Sequence, residues 1–341
     1  MKRLLYGGLT LSLFFLLVLV GTANSGPDKP IELKLNTMFP ATHPCAVHHI
    51  SYVPEILKRR SGGRMILEVY YADSLFKTRD AFKYLRSGLF DMAYTWTTFH
   101  PDETPDLVYP GDFPLVTNIK LLKKWFHAPE DSYPDIVDPL WEAYGLKVLS
   151  YQPNISWYSW SRVPVRSLSE MKGKIVRAMG YGSIDTLYKG LDLPTVQLTI
   201  AELYEALLRG TVDIVPTPYE NFVGFKLYEV AKYAFGPPFA NSMSNYLIRM
   251  DAFNGLPKDL QEILVDSFRE GQDRWFDEYW DLQVKLRAML EDKGVTFYTL
   301  SDADLRETNK ILRRYTDSFV KKYPWAARFR EVSERYSGPS Q

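Results

Sequence analysis

Hydrophobic and polar residues alternate in three short stretches near the start of the chain, and helical spacing separates them. The alternating stretches are "IELKLNTMF" (31–39), "RMILEVYYA" (64–72) and "FDMAYTW" (90–96), and each predicts a strand. Between them, residues 48–63 and 78–88 carry apolar residues at helical spacing and end at glycine. Strands separated by helices indicate a parallel sheet with helical crossovers.

Pro54 lies inside the first of these helical stretches. Proline beyond the first turn of a helix removes a backbone hydrogen bond. We therefore expect this helix to be kinked or to begin late.

The same alternation of strand and helix begins again in the middle of the chain. Residues 173–179, 193–198 and 212–218 read as strands, and residues 183–191 and 199–210 read as helices. Two α/β units in series predict two lobes with a cleft between them, and ligands of such sheets bind outside the carboxyl ends of the strands. After these units the pattern changes, because residues 257–294 predict one long helix that begins at a proline and ends at a glycine.

The N-terminus has the layout of a secretory signal peptide. Lys2 and Arg3 precede an uncharged apolar run, Leu9 to Val20, and small residues follow it. The run is shorter than the roughly 20 residues that a membrane helix needs. We expect a signal peptide over 1–25 that is cleaved after Ala23 or Ser25, with an uncleaved membrane tether as the alternative. The rest of the chain has no second long apolar run, so we expect the mature protein to be soluble.

Composition narrows the class of protein. The 341 residues contain 41 Lys and Arg against 41 Asp and Glu, a balance that argues against nucleic acid as a partner. Cys45 is the only cysteine, so no intramolecular disulfide can form. Eight tryptophans among 15% aromatic residues indicate a large core or a site that stacks on flat or apolar groups.

The chain offers little evidence of metal or catalytic chemistry. His43, Cys45, His48 and His49 lie close together, but their spacing matches no standard zinc finger and no second cluster completes four ligands. We therefore expect surface histidines in a loop before a helix, and no metal or cofactor. Neither G-x-S-x-G nor H-E-x-x-H occurs. We expect no enzymatic activity, although a fold of this kind does not by itself decide function.

Arg177 is the residue on which a functional interpretation depends. It follows Ile175 and Val176 at the end of a predicted strand, and Gly180 comes shortly after it. A guanidinium fork that points from a strand end into the cleft is suited to a bidentate pair with a carboxylate. The alternative is a partly exposed arginine that caps the strand and pairs with a nearby acid. Spacing alone leaves both interpretations open.

Several ordered segments resemble the DctP-type solute-binding proteins of tripartite ATP-independent periplasmic (TRAP) transporters. The resemblance runs from about Leu33 to Phe319. It is carried by "SGGRMILEVYYADSL" (61–75), "LRSGLFDMAY" (85–94), "PVRSLSEMKGKIVRAMG" (164–180), "LPTVQLTIAELYEALLRGTVDIV" (193–215) and "LPKDLQEIL" (256–264). In that family an arginine at the position of Arg177 binds the carboxylate of the ligand.

The resemblance implies an α/β, two-lobed periplasmic-binding-protein fold of the class II-like type, with an interlobe cleft and long C-terminal helices. On this basis we expect lobe I to begin at 26–150 and lobe II to span 151–240. Residues 241–341 are then expected to return to lobe I and to add the C-terminal helices.

Three positions depart from the pattern of many relatives. Trp157 stands where a second ligand-facing arginine is common, Thr78 where a loop acid is common, and Thr217 where an asparagine is common. Each change removes a charged or polar contact. They favour a ligand with one carboxylate and an apolar or aromatic body. Trp157 and Trp160 are equally open to a purely structural interpretation as core residues.

Further ligand-contacting candidates lie at strand ends. They are Phe39, Thr95 and Trp96 in the first lobe and Tyr219 in the second, with core packing as the alternative for each. Glu220 is a weak candidate for a cation that bridges the ligand carboxylate, as in some relatives.

The resemblance also implies partners and a location. We expect a periplasmic protein that delivers an organic acid to the small and large subunits of an ion-gradient-driven permease, as a monomer or a homodimer. The alternatives are a C4-dicarboxylate or 2-oxo acid as the ligand, delivery to an ABC importer, or a periplasmic enzyme or sensor-linked binding protein on the same fold.

Overall fold

The computed structural model describes residues 29–114, 118–155, 157–236 and 240–337. The predicted signal peptide lies outside the described residues. The first of two six-stranded sheets contains β1 (Ile31–Asn36), β2 (Met65–Tyr70), β3 (Met92–Trp96), β4 (Asp112–Phe113), β5 (Leu146–Asn154) and β11 (Asn241–Arg249). Its order is β2-β1-β3-β11-β4, and β5 pairs with β11.

The second six-stranded sheet has the order β12-β10-β6-β9-β7-β8. Its strands are β6 (Trp157–Ser161), β7 (Val176–Ala178), β8 (Thr195–Gln197), β9 (Ile214–Pro218), β10 (Tyr233–Gly236) and β12 (Thr296–Thr299). Each sheet is the centre of one lobe, so the predicted two-lobed α/β fold is confirmed.

Both sheets are mixed: the strands that alternate with helices in the sequence are parallel, as predicted, and antiparallel strands extend each sheet. β1 is parallel to β2 and β3, and β7 is parallel to β8 and β9. β11 runs antiparallel to β3, β4 and β5, and β6 runs antiparallel to β9 and β10. Strand direction escapes a sequence pattern because side chains alternate with a period of two in either case.

The helices surround the two sheets. They are α1 (Val53–Arg60), α2 (Ala81–Ser87), α3 (Val108–Gly111), α4 (Ile119–Phe126), α5 (Tyr133–Glu142), α6 (Ser183–Gly190), α7 (Leu203–Arg209), α8 (Tyr219–Gly224), α9 (Met250–Asn254), α10 (Lys258–Asp292), α11 (Asp302–Lys322) and α12 (Pro324–Arg335). Pro54 lies in the first turn of α1, where its missing N–H costs nothing. The late start of this helix is therefore confirmed, and a π-helical turn, Ala46–Ile50, precedes it.

The chain passes between the two lobes at more places than the sequence pattern predicted. β5 stays in the first sheet up to Asn154, and the second sheet begins at Trp157 rather than at 151. β11 returns the chain to the first sheet, but β12 adds a parallel strand to β10 of the second sheet. α11 then packs against α6 of the second lobe. The segment 241–341 thus contributes to both lobes.

Aromatic residues fill the interior of both lobes. Trp125, Trp141, Trp160 and Trp275 are among the largest fully buried side chains. Trp160 stacks on Phe222 with ring centroids 3.7 Å apart. These four tryptophans therefore belong to the hydrophobic core. Within the described ranges, no helix is long and apolar enough to cross a membrane.

Candidate functional site

A cleft lies between the two sheets, at the ends of strands from both lobes. The space between its walls is about 470 Å³, including the part that is open to solvent. Its lining residues are Met38, Trp96, Thr98, Phe99 and Asp112 from the first lobe, Trp157, Arg177, Met179, Ile184, Ile200 and Asn221 from the second, and Ser242 from β11. Most of this surface is apolar, and Arg177 is the one cation among these lining residues.

Arg177 is buried in the second-lobe wall, with 3% of its surface exposed. Its Nε donates to the carbonyl oxygen of Leu198 at 3.1 Å and its Nη1 to that of Pro216 at 3.4 Å. These carbonyls belong to the chain around the neighbouring strands β8 and β9, so the sheet itself orients the fork. Nη2 has no hydrogen bond to any described residue, and no described carboxylate lies within 4 Å of the guanidinium.

The missing acid distinguishes the two interpretations of Arg177. A buried cation is costly unless an anion compensates it. The pKa of Arg177 is lowered to about 10, mainly by burial and in part by the nearby Arg79, while Asp185 and Glu202 oppose the shift. The residue remains cationic at neutral pH, and its environment favours an added anion. No described acid contacts Arg177, although Asp185 and Glu202 lie near enough to raise its pKa.

Arg79 adds positive potential behind the first-lobe wall. Its guanidinium lies over the ring of Phe99, 4.8 Å from the centroid, and Phe99 lines the cleft. Burial lowers the pKa of Arg79 as well. Sequence reasoning missed this residue, although it follows Thr78 directly.

Two tryptophans, Trp96 and Trp157, line the cleft from different sheets. Trp157 is 6% exposed, and its indole N–H donates to Ser242 Oγ at 2.9 Å. Trp96 is equally buried, and its Nε1 has no hydrogen-bond partner among the described residues. Trp157 thus offers a fixed apolar face, whereas Trp96 also offers an unused donor.

Besides the bond from Trp157 to Ser242, Asp112 and Ser183 make a polar contact between the two lobes at the cleft. Asp112 at the start of β4 accepts from the backbone N–H of Ser183 at 2.6 Å and from its hydroxyl at 2.7 Å. Ser183 begins α6, whose N-terminal end carries a partial positive charge. The pKa of Asp112 is nevertheless raised to about 7, mainly by burial and in part by Asp185, although the hydrogen bonds from Ser183 lower it. We call this pair of hydrogen bonds the Asp112–Ser183 latch.

Three first-lobe candidates lie behind the cleft wall. Phe39 stacks on His43 with centroids 4.2 Å apart and packs edge-on against Trp96. Thr95 lies next to Trp96 on β3, where side chains alternate, and its hydroxyl is 2.8 Å from His100 Nε2. Thr78 donates its hydroxyl to Asp73 at 2.7 Å. None of the three lines the cleft.

The remaining second-lobe candidates also lie away from the cleft lining. Tyr219 packs among Tyr158, Trp160 and Phe297, on the side of the sheet that faces away from Arg177. Thr217 is fully buried, and its hydroxyl has no partner among the described residues. Glu220 is buried too, where Gln283 donates to it at 2.7 Å and burial raises its pKa.

Sequence reasoning missed Asn221, Asp112 and the two methionines of the lining. Asn221 follows Glu220 on α8 and is 4% exposed, yet its Oδ1 has no partner among the described residues. Asp112 stood in an irregular stretch, "YPGDFP", that predicted no element. The sequence could have indicated Asn221 as a cleft residue, because it is polar and lies about one helical turn beyond a predicted strand end.

The histidines near the N-terminus are not all surface residues, which corrects that expectation. His43 and His49 are buried, and burial lowers the pKa of each to about 3. His48 is partly exposed and pairs with Glu278 at 2.6 Å. Over the described ranges no three His, Cys, Asp or Glu side chains are grouped so as to hold a metal ion.

Two mixed sheets, a cleft at their strand ends and crossings between them define a two-lobed ligand-binding protein. The profile described as bacterial extracellular solute-binding protein, family 7, matches residues 37–322. The chain belongs to this DctP family, the solute-binding proteins of TRAP transporters. Members of the family bind small organic acids and work with membrane permease components.

Individual relatives are distant. A solute-binding protein of Albidiferax ferrireducens is 26% identical over 268 residues, 76% of each chain. The 2,3-diketo-L-gulonate-binding periplasmic protein of Escherichia coli is 25% identical over 279 residues, 80% of this chain and 82% of its own. A TRAP periplasmic solute-binding protein of Rhodoferax ferrireducens with bound malonate superimposes with a TM-score of 0.78 at 23% identity, covering 89% of this chain and 98% of its own.

Proposed function

We propose that this protein captures an organic acid with one carboxylate and an apolar or aromatic body, in the periplasm, and delivers it to a TRAP permease of a small and a large subunit. The observation that carries the proposal is Arg177, a buried guanidinium with a free Nη2 and no described acid within 4 Å. A ligand carboxylate supplies the missing anion. Trp96 and Trp157 then cover the body of the ligand.

Binding and closure are coupled in this mechanism. The ligand contacts both walls of the cleft, and the Asp112–Ser183 latch forms only when the lobes approach each other. A ligand that makes more contacts in the closed form shifts the population towards it. The closed protein is then the form that the permease receives. The transport role, rather than an enzymatic one, follows the family.

A thermal-shift and calorimetric panel tests this proposal. It contains aromatic and branched monocarboxylates, 2-oxo acids, C4-dicarboxylates and neutral sugars. We expect a monocarboxylate to raise the melting temperature by mass action. Arg177→Met should abolish that shift while the unliganded protein keeps its stability, because the variant removes a poorly solvated charge. Arg177→Lys should weaken binding about tenfold or more, because lysine cannot form the bidentate pair.

A dicarboxylate is the second candidate, and Arg79 is the observation that favours it. A modest rearrangement of Phe99 brings a second cation to the cleft. If C4-dicarboxylates alone stabilise the protein and Arg79→Gln removes that effect, the dicarboxylate replaces the monocarboxylate as the ligand class. Stabilisation by neutral sugars that persists in Arg177→Met contradicts both.

A further inference from the structure

We infer that Asn221 forms a hydrogen bond with a second, uncharged polar group of the ligand. This group is a hydroxyl or an amide close to the ligand carboxylate. The inference rests on the proposed function, since it describes the same cleft. It narrows the ligand from any apolar monocarboxylate to a hydroxy acid or a lactam-type acid.

The position of Asn221 relative to Arg177 is set by two neighbouring strands. β7 carries Arg177 and runs parallel to β9, so the carboxyl ends of both strands lie at the same edge of the sheet. The carbonyl of Pro216 on β9 accepts from the Arg177 fork, and Asn221 lies on α8 directly after β9. Both side chains line the same cleft. A group attached near the ligand carboxylate is therefore within the region that Asn221 faces.

The amide of Asn221 is the polar group that lacks a partner in the second-lobe wall. Its Oδ1 is buried and makes no hydrogen bond within the described part of the chain. A buried polar atom without a partner is unfavourable, and most such atoms in proteins are paired. An amide offers both an acceptor and a donor, which suits a ligand hydroxyl or amide.

The charges of the lining residues disfavour a second carboxylate at this position. Arg177 is the one cation in the lining, and its fork is already assigned to the first carboxylate. The other ionisable lining residue is Asp112, a carboxyl group whose pKa burial has raised to about 7. A second anionic group on the ligand would share the cleft with the acid Asp112 and would have no other lining cation to contact. A neutral hydrogen-bonding group meets neither difficulty.

Across the cleft, Trp96 supports the same pattern. Its indole N–H is buried with no partner among the described residues. Beside Thr98, Asp112 and Ser242, the walls present the Arg177 cation, the indole N–H of Trp96 and the amide of Asn221, and the other lining residues are apolar or aromatic. This set matches a small acid with one or two further oxygen or nitrogen atoms.

Matched acids that differ in a single polar group test the inference. Calorimetry compares 2-hydroxy-4-methylpentanoate, as both enantiomers, with 4-methylpentanoate, and compares pyroglutamate with cyclopentanecarboxylate. The proteins are the wild type, Asn221→Leu and Thr217→Val. Asn221→Leu removes the amide with little change in volume. Thr217→Val is the control, because it also removes an unpartnered buried polar atom but lies outside the cleft lining.

The wild type should bind the polar member of at least one pair about tenfold or more tightly than its apolar match. Asn221→Leu should reduce that ratio to about one and leave the affinity for the apolar member within about twofold. Thr217→Val should keep the wild-type ratio. Equal affinities within both pairs in the wild type, or a ratio that survives in Asn221→Leu, would overturn the inference while the monocarboxylate proposal stands. If the wild type binds none of the four acids, the monocarboxylate proposal falls and this inference falls with it.

Discussion

Single residues in this protein are constrained by what approaches them across the cleft, and Gly182 is the clearest example. Its φ of +113° lies in a region that side chains avoid. A Cβ there would come closer than van der Waals contact to Asp112 Oδ2, which accepts from the next backbone N–H. Glycine at this position thus permits both the backbone turn into α6 and the approach of the opposite lobe.

Gly182→Ala is therefore expected to weaken ligand binding as well as stability. Gly62→Ala is the matched control, because Gly62 also has a positive φ, +61°, but has no atom within 4 Å of its Cβ position. We expect Gly62→Ala to lower the free energy of unfolding by about 1 kcal/mol without changing affinity. Denaturant unfolding and calorimetry with the same acid measure both effects. Equal affinities in the two variants would show that Gly182 serves the backbone turn alone.

At the scale of elements, the sheets position the site and the helix ends complete it. β7 and β9 hold the Arg177 fork, while the start of α6 receives Asp112 from β4. α11 contacts both lobes, since it packs on α6 and Tyr315 donates to the backbone carbonyl of Asp112 at 3.1 Å. The site thus depends on five elements that are far apart in sequence, β4, β7, β9, α6 and α11.

The Asp112–Ser183 latch predicts a pH dependence of binding. The pKa of Asp112 is about 7 in the closed form, against 3.8 for the unperturbed group, so closing takes up a proton between these values. The protonated form is favoured below about pH 7, and this contribution is lost as the pH rises through 7. We expect the affinity for a monocarboxylate to increase by up to about tenfold from pH 8 to pH 6.

Asp112→Asn is the test of this prediction, because it removes the titration and retains a side-chain oxygen as acceptor. Its affinity should be nearly independent of pH over the same range. A pH dependence that persists in Asp112→Asn would assign the proton to Asp185, whose pKa burial also raises. Binding of the wild type that weakens towards pH 6 would contradict the latch.

At the scale of the whole molecule, the two lobes are joined by several chain crossings rather than by one linker. The chain passes between the sheets after β5, before β11 and again at β12. Such connections restrict the lobes to rotation about a hinge. The Asp112–Ser183 latch is formed in this structure, so the proposed mechanism takes it as the closed arrangement.

Ligand binding should therefore make the protein more compact. Small-angle X-ray scattering should show a radius of gyration near about 20 Å with saturating acid, the value for a compact chain of this length, and a larger value without it. Arg177→Met should remain at the larger value in the presence of the same acid. An unchanged radius in the wild type, with binding detected by calorimetry, would show that closure does not depend on the ligand.

The sequence by itself determined the local elements, the two-lobe architecture and the family, and it singled out Arg177 as a candidate, which the structure places in the cleft lining. The helices and strands follow from hydrophobic periodicity and from glycines that end helices, and both are properties of neighbouring residues. The family follows from the ordered segments that resemble its members. The sequence also pointed to Trp96, which lies at a strand end, and to Trp157, which stands where many relatives carry an arginine. These properties are local, so they survive in a one-dimensional pattern.

Only the tertiary structure decided which side chains share the cleft. Strand direction, the place of β12 in the second sheet and the Asp112–Ser183 contact all depend on pairings between distant segments. Phe39, Thr95 and Tyr219 lie at or near strand ends as expected, yet their side chains pack behind the walls. Asn221 reaches the cleft because α8 turns back at the end of β9. Proximity in a folded chain is set by packing between elements, which the order of residues does not display.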